Sequence, residues 1–389
     1  MIKKQNNKKV AILLTSEPIS GGEHQYLLLL AQTLKECDKK YLDVIWICCN
    51  KYWECWCRKN KIKYIKFNLK YFNKREMYLT SYMAPALKYF STYFTELGKI
   101  ILKNNIKLII CGQQSIYIPR YLCKSIRPVH DIMHRYESKF EEIQRDYDIR
   151  EAIFRAGARV EDAVLVDSKL GKKHFMDCYY RKKNNPKVYE LPFVASESIL
   201  NAVEERIDIP SKYIFYPAQF WEHKNHKNLI KAVDLLKNKI CDIHLILVGS
   251  ERNSMEKVRE YIAANGINDY ISIQGFVSDG QMKYLYRNAV ALVMPTYFGP
   301  TNIPPLEAMI LGCPVIVSDK YAMKEQVGNA GILCNPDSPE NIAECILQIW
   351  NNEELRQSMI KKGYEQSQKW TIKDFKKSFL RIICSELNR

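Results

Sequence analysis

Short apolar runs alternate with amphipathic stretches along most of this 389-residue chain. Each apolar run is bounded by turn residues and predicts a buried strand. The predicted strands are Val10–Leu14, Leu42–Cys48, Leu108–Cys111, Ala163–Val166, Ile214–Tyr216, Ile243–Val248, Ile271–Gln274, Ala291–Met294, Pro314–Val317 and Gly331–Leu333. Between many of them a helical period predicts helices, for example Gln25–Lys35, Lys227–Lys237, Met255–Asn265 and Asp279–Arg287. Buried strands that alternate with helices predict an α/β fold with parallel, doubly wound sheets.

The length and a change in composition predict two domains. A chain of this length exceeds the ~250–300 residues at which single cores stop growing. The segment Leu191–Lys212 contains two prolines and an acidic middle, so we expect the domain junction there. The predicted organisation is a domain over 1–195, a linker over 196–212, a domain over 213–370 and a C-terminal helix over 371–389 that packs back on the first domain.

Basic residues are unevenly distributed between the two halves. The net charge is +16. Residues 1–200 carry 36 basic and 21 acidic side chains, a balance of +15, whereas residues 201–389 carry 23 and 22, a balance of +1. A strongly basic half indicates an anionic partner, such as a membrane surface, an anionic lipid carrier or a nucleic acid.

The segment Lys51–Arg75 departs from the regular pattern, because it combines nine basic residues and seven aromatic ones with a single acid. Such a mixture is able to lie at a lipid headgroup layer, with its charges toward phosphate and its rings at the interface. The alternative is a strand over 61–66 with a solvated lysine face and rings in the core. The sequence leaves both alternatives open.

Cysteine usage and hydropathy indicate the compartment. The thirteen cysteines show no CxxC pair and no zinc-finger spacing, which is typical of a reducing cytosol and predicts no metal site. Val10–Leu14 is too short for a signal-peptide core, and no run approaches the ~20 apolar residues of a membrane-spanning helix. We therefore expect a cytoplasmic protein, peripheral on the inner face of the plasma membrane.

The stretch from Ala291 to Asp319 is the most informative part of the chain. A buried strand leads into a loop that contains Gly299, and a helix opens at Pro304–Pro305 with Glu307 in its first turns. Free backbone N–H groups make such a helix start a natural anion site. Glu307 is able to cap the helix or to accept hydrogen bonds from a diol such as a ribose. An ordinary α/β crossover with a capping glutamate remains the alternative.

Polar or small residues follow other predicted strands. Lys224 lies just past a strand end near a helix start, where a cation would neutralise a phosphate, although a solvated turn with two histidines explains it equally well. Gly249–Ser250 and Gly275–Val277 follow two further strands and leave room for a base or a ribose.

Two candidates lie in the first half. Gly21–Gly22 follow the first strand and would let backbone N–H groups approach a ligand, but such a pair is often only a loop. His130–Asp131 precede a polar cluster, although an isolated histidine is more often structural than catalytic. P-loop, GxGxxG, HExxH, GxSxG and kinase motifs are missing from the sequence, which argues against several common enzyme classes.

Taken in order, these segments resemble the retaining glycosyltransferases of family 4, which have the GT-B fold. The resemblance predicts two Rossmann-like, doubly wound parallel-sheet domains that face a central cleft. The matching segments are Gly21–Gly22, Val160–Lys172, Lys224, Val248–Gly249, Gly275–Ser278 and Pro295–Asp319.

The resemblance implies a nucleotide-diphosphate sugar donor (GDP-, UDP- or dTDP-linked) in the second domain and an acceptor in the first. It implies that no cofactor or metal is required, because cations and backbone N–H groups stabilise the leaving diphosphate. The implied catalytic residues are His130 near the anomeric centre, Lys224 on the diphosphate and Glu307 on the ribose. The implied donor-contacting residues are Gly21, Gly22, Gln219, Gly249, Phe276, Val277, Gly299, Thr301, Asn302 and Ile303.

Two positions depart from the family pattern. Gly299 stands where the family has the first glutamate of a glutamate-x7-glutamate motif, which helps to hold the donor sugar. Gln219 stands where an arginine often accompanies the lysine. Because Lys224 and Glu307 remain, we interpret the departures as a change of specificity, with Asn302 or Thr301 as replacement contacts for sugar hydroxyls.

The resulting hypothesis is a metal-independent, retaining hexosyltransferase that acts on a glycan or lipid-linked acceptor in bacterial polysaccharide or lipopolysaccharide synthesis. A catalytically inert relative that binds a sugar nucleotide or a protein partner is the alternative, and donor turnover distinguishes the two. A nucleic-acid-binding protein has only the charge in its favour, so we expect no nucleic-acid partner.

Overall fold

Two parallel sheets with helices between their strands organise the chain. The structure is a computed structural model that describes residues 8–38, 41–68, 87–116, 118, 121–299 and 302–388. The first compact unit takes the described residues of 1–134, 146–192 and 373–389, and the second takes those of 135–145 and 193–372. The chain therefore enters the second unit twice, first through the short segment 135–145.

The first unit contains a seven-stranded parallel sheet whose strand order is β3-β2-β1-β4-β5-β6-β7. The order reverses between β1 and β4, which is the position at which open α/β sheets usually bind ligands. The strands are Lys9–Leu14 (β1), Asp43–Cys48 (β2), Tyr64–Lys66 (β3), Ile106–Cys111 (β4), Lys124–Val129 (β5), Ala163–Val166 (β6) and Lys187–Glu190 (β7).

The second unit contains a six-stranded parallel sheet with the order β10-β9-β8-β11-β12-β13. Here the order reverses between β8 and β11. The strands are Ile214–Pro217 (β8), Leu245–Val248 (β9), Ile271–Ile273 (β10), Ala291–Met294 (β11), Val315–Ser318 (β12) and Gly331–Cys334 (β13). The two sheets confirm the predicted α/β class with doubly wound parallel sheets.

The described helices follow the strands in the expected alternation. They are Gly22–Glu36 (α1), Lys51–Lys59 (α2), Leu87–Phe94 (α3), Glu96–Asn104 (α4), Met133–Tyr136 (α5), Glu141–Gln144 (α6), Tyr147–Val160 (α7), Lys169–Tyr179 (α8), Glu197–Asn201 (α9), His226–Leu236 (α10), Met255–Ala264 (α11), Asp279–Asn288 (α12), Ile303–Ile310 (α13), Met323–Val327 (α14), Pro339–Trp350 (α15), Glu353–Ser367 (α16) and Ile372–Leu387 (α17). The search for membrane-spanning helices, made over these described residues, finds none long and apolar enough.

The hydrophobic pattern missed strands β5 and β7. Strand β5 contains a charged residue, Arg127, which interrupts the apolar pattern. Its side chain is fully buried and pairs with Glu161 at 2.6 Å, so the charge is compensated inside the protein. Strand β7 lies at the sheet edge and is exposed at its ends, so its sequence is mixed. The formation of both strands therefore depends on pairing with neighbouring strands rather than on an apolar pattern in their own sequence.

The described part of Lys51–Arg75 forms α2 and β3. Trp53 and Phe67 are buried in the first unit, while Lys61 and Lys63 face solvent. This favours the alternative of a solvated lysine face with core rings, although the strand is shorter than the expected 61–66. Tyr71 and Phe72, which the membrane hypothesis also used, lie outside the described residues.

Candidate functional site

The loops that follow β8 and β11 meet where the strand order of the second sheet reverses. The backbone N–H of Tyr297 donates to the carbonyl of His223 at 2.9 Å, and the Thr296 hydroxyl donates to the same oxygen at 3.2 Å. Two strand-end loops are therefore fixed to each other at the position where parallel sheets bind ligands.

Lys224 lies in the first of these loops, in a 3₁₀ turn over Glu222–Lys224. The hydroxyl of the buried Tyr216 donates to the Lys224 carbonyl at 2.9 Å, which fixes the backbone of the turn. The Lys224 ammonium donates to Oδ1 of Asn302 at 3.3 Å. The structure thus brings together two of the predicted site residues, one from each loop.

Asn225 is a residue that the sequence analysis missed. It is buried, has a φ of 61°, and its side-chain amide donates to the carbonyls of Pro295 at 2.9 Å and Pro336 at 2.7 Å. Asparagine tolerates the left-handed region better than most side chains. Asn225 thereby connects the segments that follow β8, β11 and β13. In the sequence, this role is indicated only by the position of an asparagine directly after Lys224.

The loop after β11 is shaped by Gly299 and Asn302. Gly299 has a φ of +119°, and a Cβ atom on it would lie 2.7 Å from Nδ2 of Asn302. The Asn302 amide therefore occupies the space that a side chain at position 299 would need. Nδ2 also donates to the Gly299 carbonyl at 3.4 Å, and Thr301 lies outside the described residues.

The end of this loop is held by α14. The backbone N–H of Asn302 donates to Oε1 of Gln326 at 3.0 Å, and the Gln326 amide donates back to the Asn302 carbonyl. The helix α13 begins at the next residue, the buried Ile303, which therefore offers a ligand only its backbone.

Glu307 is buried on α13, and its two oxygens differ in their partners. Oε2 accepts from the hydroxyl of Tyr286 on α12 at 2.8 Å, whereas Oε1 is buried without a hydrogen bond of ordinary length among the described residues. Burial raises the pKa of Glu307 to about 7, and the hydroxyl of Tyr286 and the backbone of Ser196 act in the opposite direction. The sequence analysis missed Tyr286, which lies 21 residues away on a different helix.

The other residues of the second unit that were predicted to contact the donor differ in their packing and exposure. A Cβ on Gly249 would overlap the carbonyl group of Ala218, so a glycine is required there for close backbone packing. Its N–H donates to the Gly275 carbonyl at 3.0 Å. Phe276 is 97% exposed, while the Val277 side chain lies in the hydrophobic core.

Gln219 lies in the loop after β8, two residues past the end of the strand. Its side-chain oxygen accepts from the indole N–H of Trp221 at 2.9 Å. The position at which the resemblance expects an arginine therefore holds an amide that supports the loop after β8.

In the first unit, the glycine pair opens α1. Gly21 has a φ of +60°, and a Cβ on it would meet no atom within 4 Å, so the backbone there borders open space. Gly22 is the first residue of α1. The next residue, Glu23, accepts from the Gln114 N–H at 3.0 Å and from the Gln113 amide at 3.2 Å.

His130 follows β5 and is positioned by Gln114. Oε1 of Gln114 accepts from the backbone N–H groups of His130 at 2.9 Å and Asp131 at 3.2 Å. The imidazole stands edge-to-face to Tyr26 at 4.7 Å, and burial lowers the pKa of His130 to about 4. The ring is therefore neutral at physiological pH. Gln113 and Gln114 follow β4, so a search for polar residues at strand ends would have found them.

Among the described residues, no group of three or more His, Cys, Asp and Glu side chains is arranged to hold a metal ion. All thirteen cysteines are described, and none of them forms a disulfide.

Comparisons with known proteins identify the relatives of this chain. Residues 201–366 match the family model described as Glycosyl transferases group 1. The O-antigen chain mannosyltransferase RfbU of Salmonella typhimurium is 27% identical over 275 residues, which cover 69% of this chain and 72% of that protein. The O-antigen chain mannosyltransferase B of Escherichia coli is 27% identical over 160 residues, which cover 41% of this chain and 42% of that protein.

Solved structures share the fold. The crystal structure of Anabaena Alr3699/HepE in complex with UDP and glucose superposes with a TM-score of 0.70 at 15% identity, over 97% of this chain and 100% of that chain. The family model covers most of the second unit, so residues 201–366 form a Glycosyl transferases group 1 domain, and the chain has the GT-B fold.

Proposed function

We propose that this protein transfers a hexose-type sugar from a nucleotide-diphosphate donor to a glycan or lipid-linked acceptor, with retention of the anomeric configuration. The observation that carries the proposal is the arrangement in the second unit. Lys224 and Asn302 contact each other across the reversal point of the sheet, and Glu307 follows on the helix that begins beside them.

Glu307 fits a ribose. A ribose diol has two hydroxyl donors, and Oε1 of Glu307 is a buried acceptor without an ordinary hydrogen bond among the described residues. A buried acceptor whose hydrogen bonding is incomplete costs free energy, so a ligand hydroxyl that donates to it would be favoured. The pKa of about 7 also means that bound hydroxyl donors would favour the ionised form of Glu307.

Lys224 and the start of α13 suit the diphosphate. The ammonium supplies a positive charge, and the eight-residue helix supplies the backbone N–H of Ile303 and the positive end of its dipole, since Pro304 and Pro305 have no N–H. In the proposed reaction the bond between the anomeric carbon and the diphosphate oxygen breaks, the acceptor oxygen bonds to the same face of that carbon, and its proton passes to the leaving diphosphate. Lys224 would stabilise the charge that develops on this leaving group.

Asn302 is our candidate for the donor-sugar contact. It replaces the carboxylate that the family pattern places at position 299, and its neutral amide offers both a donor and an acceptor to sugar hydroxyls. The neutral imidazole of His130 is the first-unit group that we propose near the anomeric centre.

The acceptor and the location are inferred from charge, surface and relatives. Both curated relatives are described as O-antigen chain mannosyltransferases, which supports a role in polysaccharide synthesis. The first 200 residues carry a balance of +15, and helix α3 exposes the rings of Tyr89, Phe90, Tyr93 and Phe94. Exposed rings in a strongly basic part of the chain suit an anionic lipid layer, so we propose a peripheral association with the inner face of the plasma membrane.

A donor panel tests the proposal. The purified protein is incubated with UDP-, GDP- and dTDP-linked hexoses, and donor hydrolysis and nucleotide-induced thermal shift are measured for the wild type, Lys224→Ala and Glu307→Ala. We expect turnover with at least one donor and its loss in both variants. Binding without turnover in the wild type would favour the inert relative, and the lack of any binding would refute both candidates.

A further inference from the structure

A short segment from the first half of the chain lies in the second unit. Residues 135–145, which we call the strap, are grouped with the second unit, although the residues on both sides of them in sequence belong to the first. The strap contains the one-turn helix α6, and it contributes Glu137, Phe140 and Glu142 to contacts inside the second unit.

Glu142 binds the turn that contains Lys224. Its Oε1 accepts from the backbone N–H of His223 at 3.1 Å and from the His223 ring at 2.7 Å, so Nδ1 of the ring carries the proton. Its Oε2 accepts from the Asn253 amide at 2.8 Å, and Asn253 in turn accepts from the N–H of Glu222 at 3.1 Å. Glu142 thus reaches two consecutive residues of the turn, one directly and one through Asn253.

The buried carboxylate remains charged. Only 8% of the Glu142 side chain is exposed, and burial by itself would raise its pKa. The hydrogen bonds from His223 and Asn253 outweigh burial and lower the pKa of Glu142 to about 2. Hydrogen bonds to a charged acceptor are stronger than those between neutral groups, so the contact stabilises the turn firmly.

The strap also reaches the second loop of the site. The His223 ring stacks on Phe298, with centroids 3.9 Å apart and planes at 15°, and Phe298 directly precedes Gly299. The ring of Phe140 packs against Phe298 at 5.7 Å and Tyr297 at 5.3 Å. His223 therefore lies between the carboxylate of Glu142 on one side and the loop after β11 on the other.

We propose that Glu142 is a positioning residue for the donor site, which acts through His223 on the placement of Lys224 and of the loop that begins at Gly299. This inference rests on the proposed function, because it assigns the positioned groups to a nucleotide-sugar donor. It adds a requirement that residues 193–372 by themselves do not meet, since Glu142 lies 81 residues before His223 in the sequence.

The decisive variant is Glu142→Gln, because it replaces one oxygen of the carboxylate with an NH2 group at nearly constant volume. That NH2 group must face either His223 or Asn253, and both of them donate to Glu142 in the wild type. If Asn253 turned its amide to accept, it would lose the bond from the Glu222 N–H. Either arrangement loses a hydrogen bond in the turn.

The matched control is Glu141→Gln. It makes the same chemical change at the neighbouring residue of the same helix, where the side chain is exposed and pairs with Arg145, one turn away. A second test variant, His223→Phe, keeps a ring against Phe298 but removes Nδ1.

The first measurement is amide hydrogen exchange of the full-length protein without ligand. We expect the peptides that cover 222–228 and 296–299 to exchange about tenfold faster in Glu142→Gln, and unchanged in Glu141→Gln. Unchanged exchange in Glu142→Gln would overturn the inference, and this measurement does not depend on any nucleotide.

The second measurement is the affinity for UDP, GDP and dTDP by calorimetry. For the nucleotide that binds the wild type, we expect Kd to rise about tenfold in Glu142→Gln and in His223→Phe, and less than additively in the double variant. Faster exchange with an unchanged Kd would refute positioning, because the strap would then serve the fold alone. If the wild type binds none of the three nucleotides, the proposed function itself fails and the positioning role fails with it.

Discussion

Glu307 should make the stability of the protein depend on pH in a direction opposite to that of an ordinary paired carboxylate. Burial raises its pKa from 4.5 to about 7 in the folded protein. Between these two values the folded state keeps a proton that the unfolded state has lost, so the free energy of unfolding falls as pH rises. The contribution is fully present below about pH 4.5 and is lost as pH passes through about 7.

The magnitude follows from the size of the shift. A difference of roughly 2–3 pKa units corresponds to about 3 kcal/mol at ~1.4 kcal/mol per unit. About 2–3 kcal/mol of that falls between pH 5 and pH 8, because deprotonation in the unfolded state has already begun at pH 5. The side chain is only 3% exposed, so solvent screening removes little of this value.

Glu307→Gln isolates the effect. The glutamine keeps an acceptor for the Tyr286 hydroxyl but does not titrate, so the other groups that titrate in this range cancel in the comparison. Urea unfolding at pH 5 and pH 8 should show that the difference in the free energy of unfolding between the two proteins shifts by about 2–3 kcal/mol in favour of Glu307→Gln at the higher pH. The exposed Glu325→Gln serves as a control. Parallel pH profiles for wild type and Glu307→Gln would refute the buried, proton-holding carboxylate.

Three further predictions test the loops and the surface. Gly299→Ala should displace the Asn302 amide and cost about 1–2 kcal/mol, since its Cβ would lie 2.7 Å from Nδ2; a crystal structure with the amide unmoved would contradict this. Asn225→Ala should lower the free energy of unfolding by about 2–4 kcal/mol, because it removes both side-chain hydrogen bonds. Asn225→Gly should lower it by ~1 kcal/mol less, because glycine adopts the left-handed backbone conformation without strain. Equal losses in the two variants would argue against backbone strain at this position. Replacing Phe90 and Phe94 with Ser should weaken binding to anionic vesicles at least tenfold without loss of thermal stability. The control is Tyr364→Ser, which removes an exposed ring from the second unit. A fall in the melting temperature of the Phe90 and Phe94 variant would indicate that these rings pack inside the protein.

The regular part of the fold follows from local patterns. Strands such as Ala163–Val166 and Ala291–Met294 have the predicted bounds, because a fully buried parallel strand needs an apolar residue at every position. Strand β5 escaped prediction because its charge is neutralised by Glu161 on a separate segment of the chain. A local pattern does not contain that partner.

The candidate site also contains residues that local patterns predict and residues that such patterns miss. Lys224 and Glu307 stand at strand ends and helix starts, where sequence alone indicates ligand chemistry, and their roles stay predictions for the proposed experiments. Tyr286 and Glu142 carry no such signal. They contribute through hydrogen bonds to residues 21 and 81 positions away, so only the folded chain reveals them.

Gly299 changes its meaning once Asn302 is seen beside it. From the sequence, the glycine is a position that has lost a carboxylate. In the structure, the amide of Asn302 fills the space of the missing side chain and accepts from Lys224. A glutamate restored at position 299 would collide with that amide and would also need a φ of +119°, which side chains rarely adopt. Gly299 and Asn302 therefore form one structural unit, and any conversion to the family's carboxylate has to change both residues together.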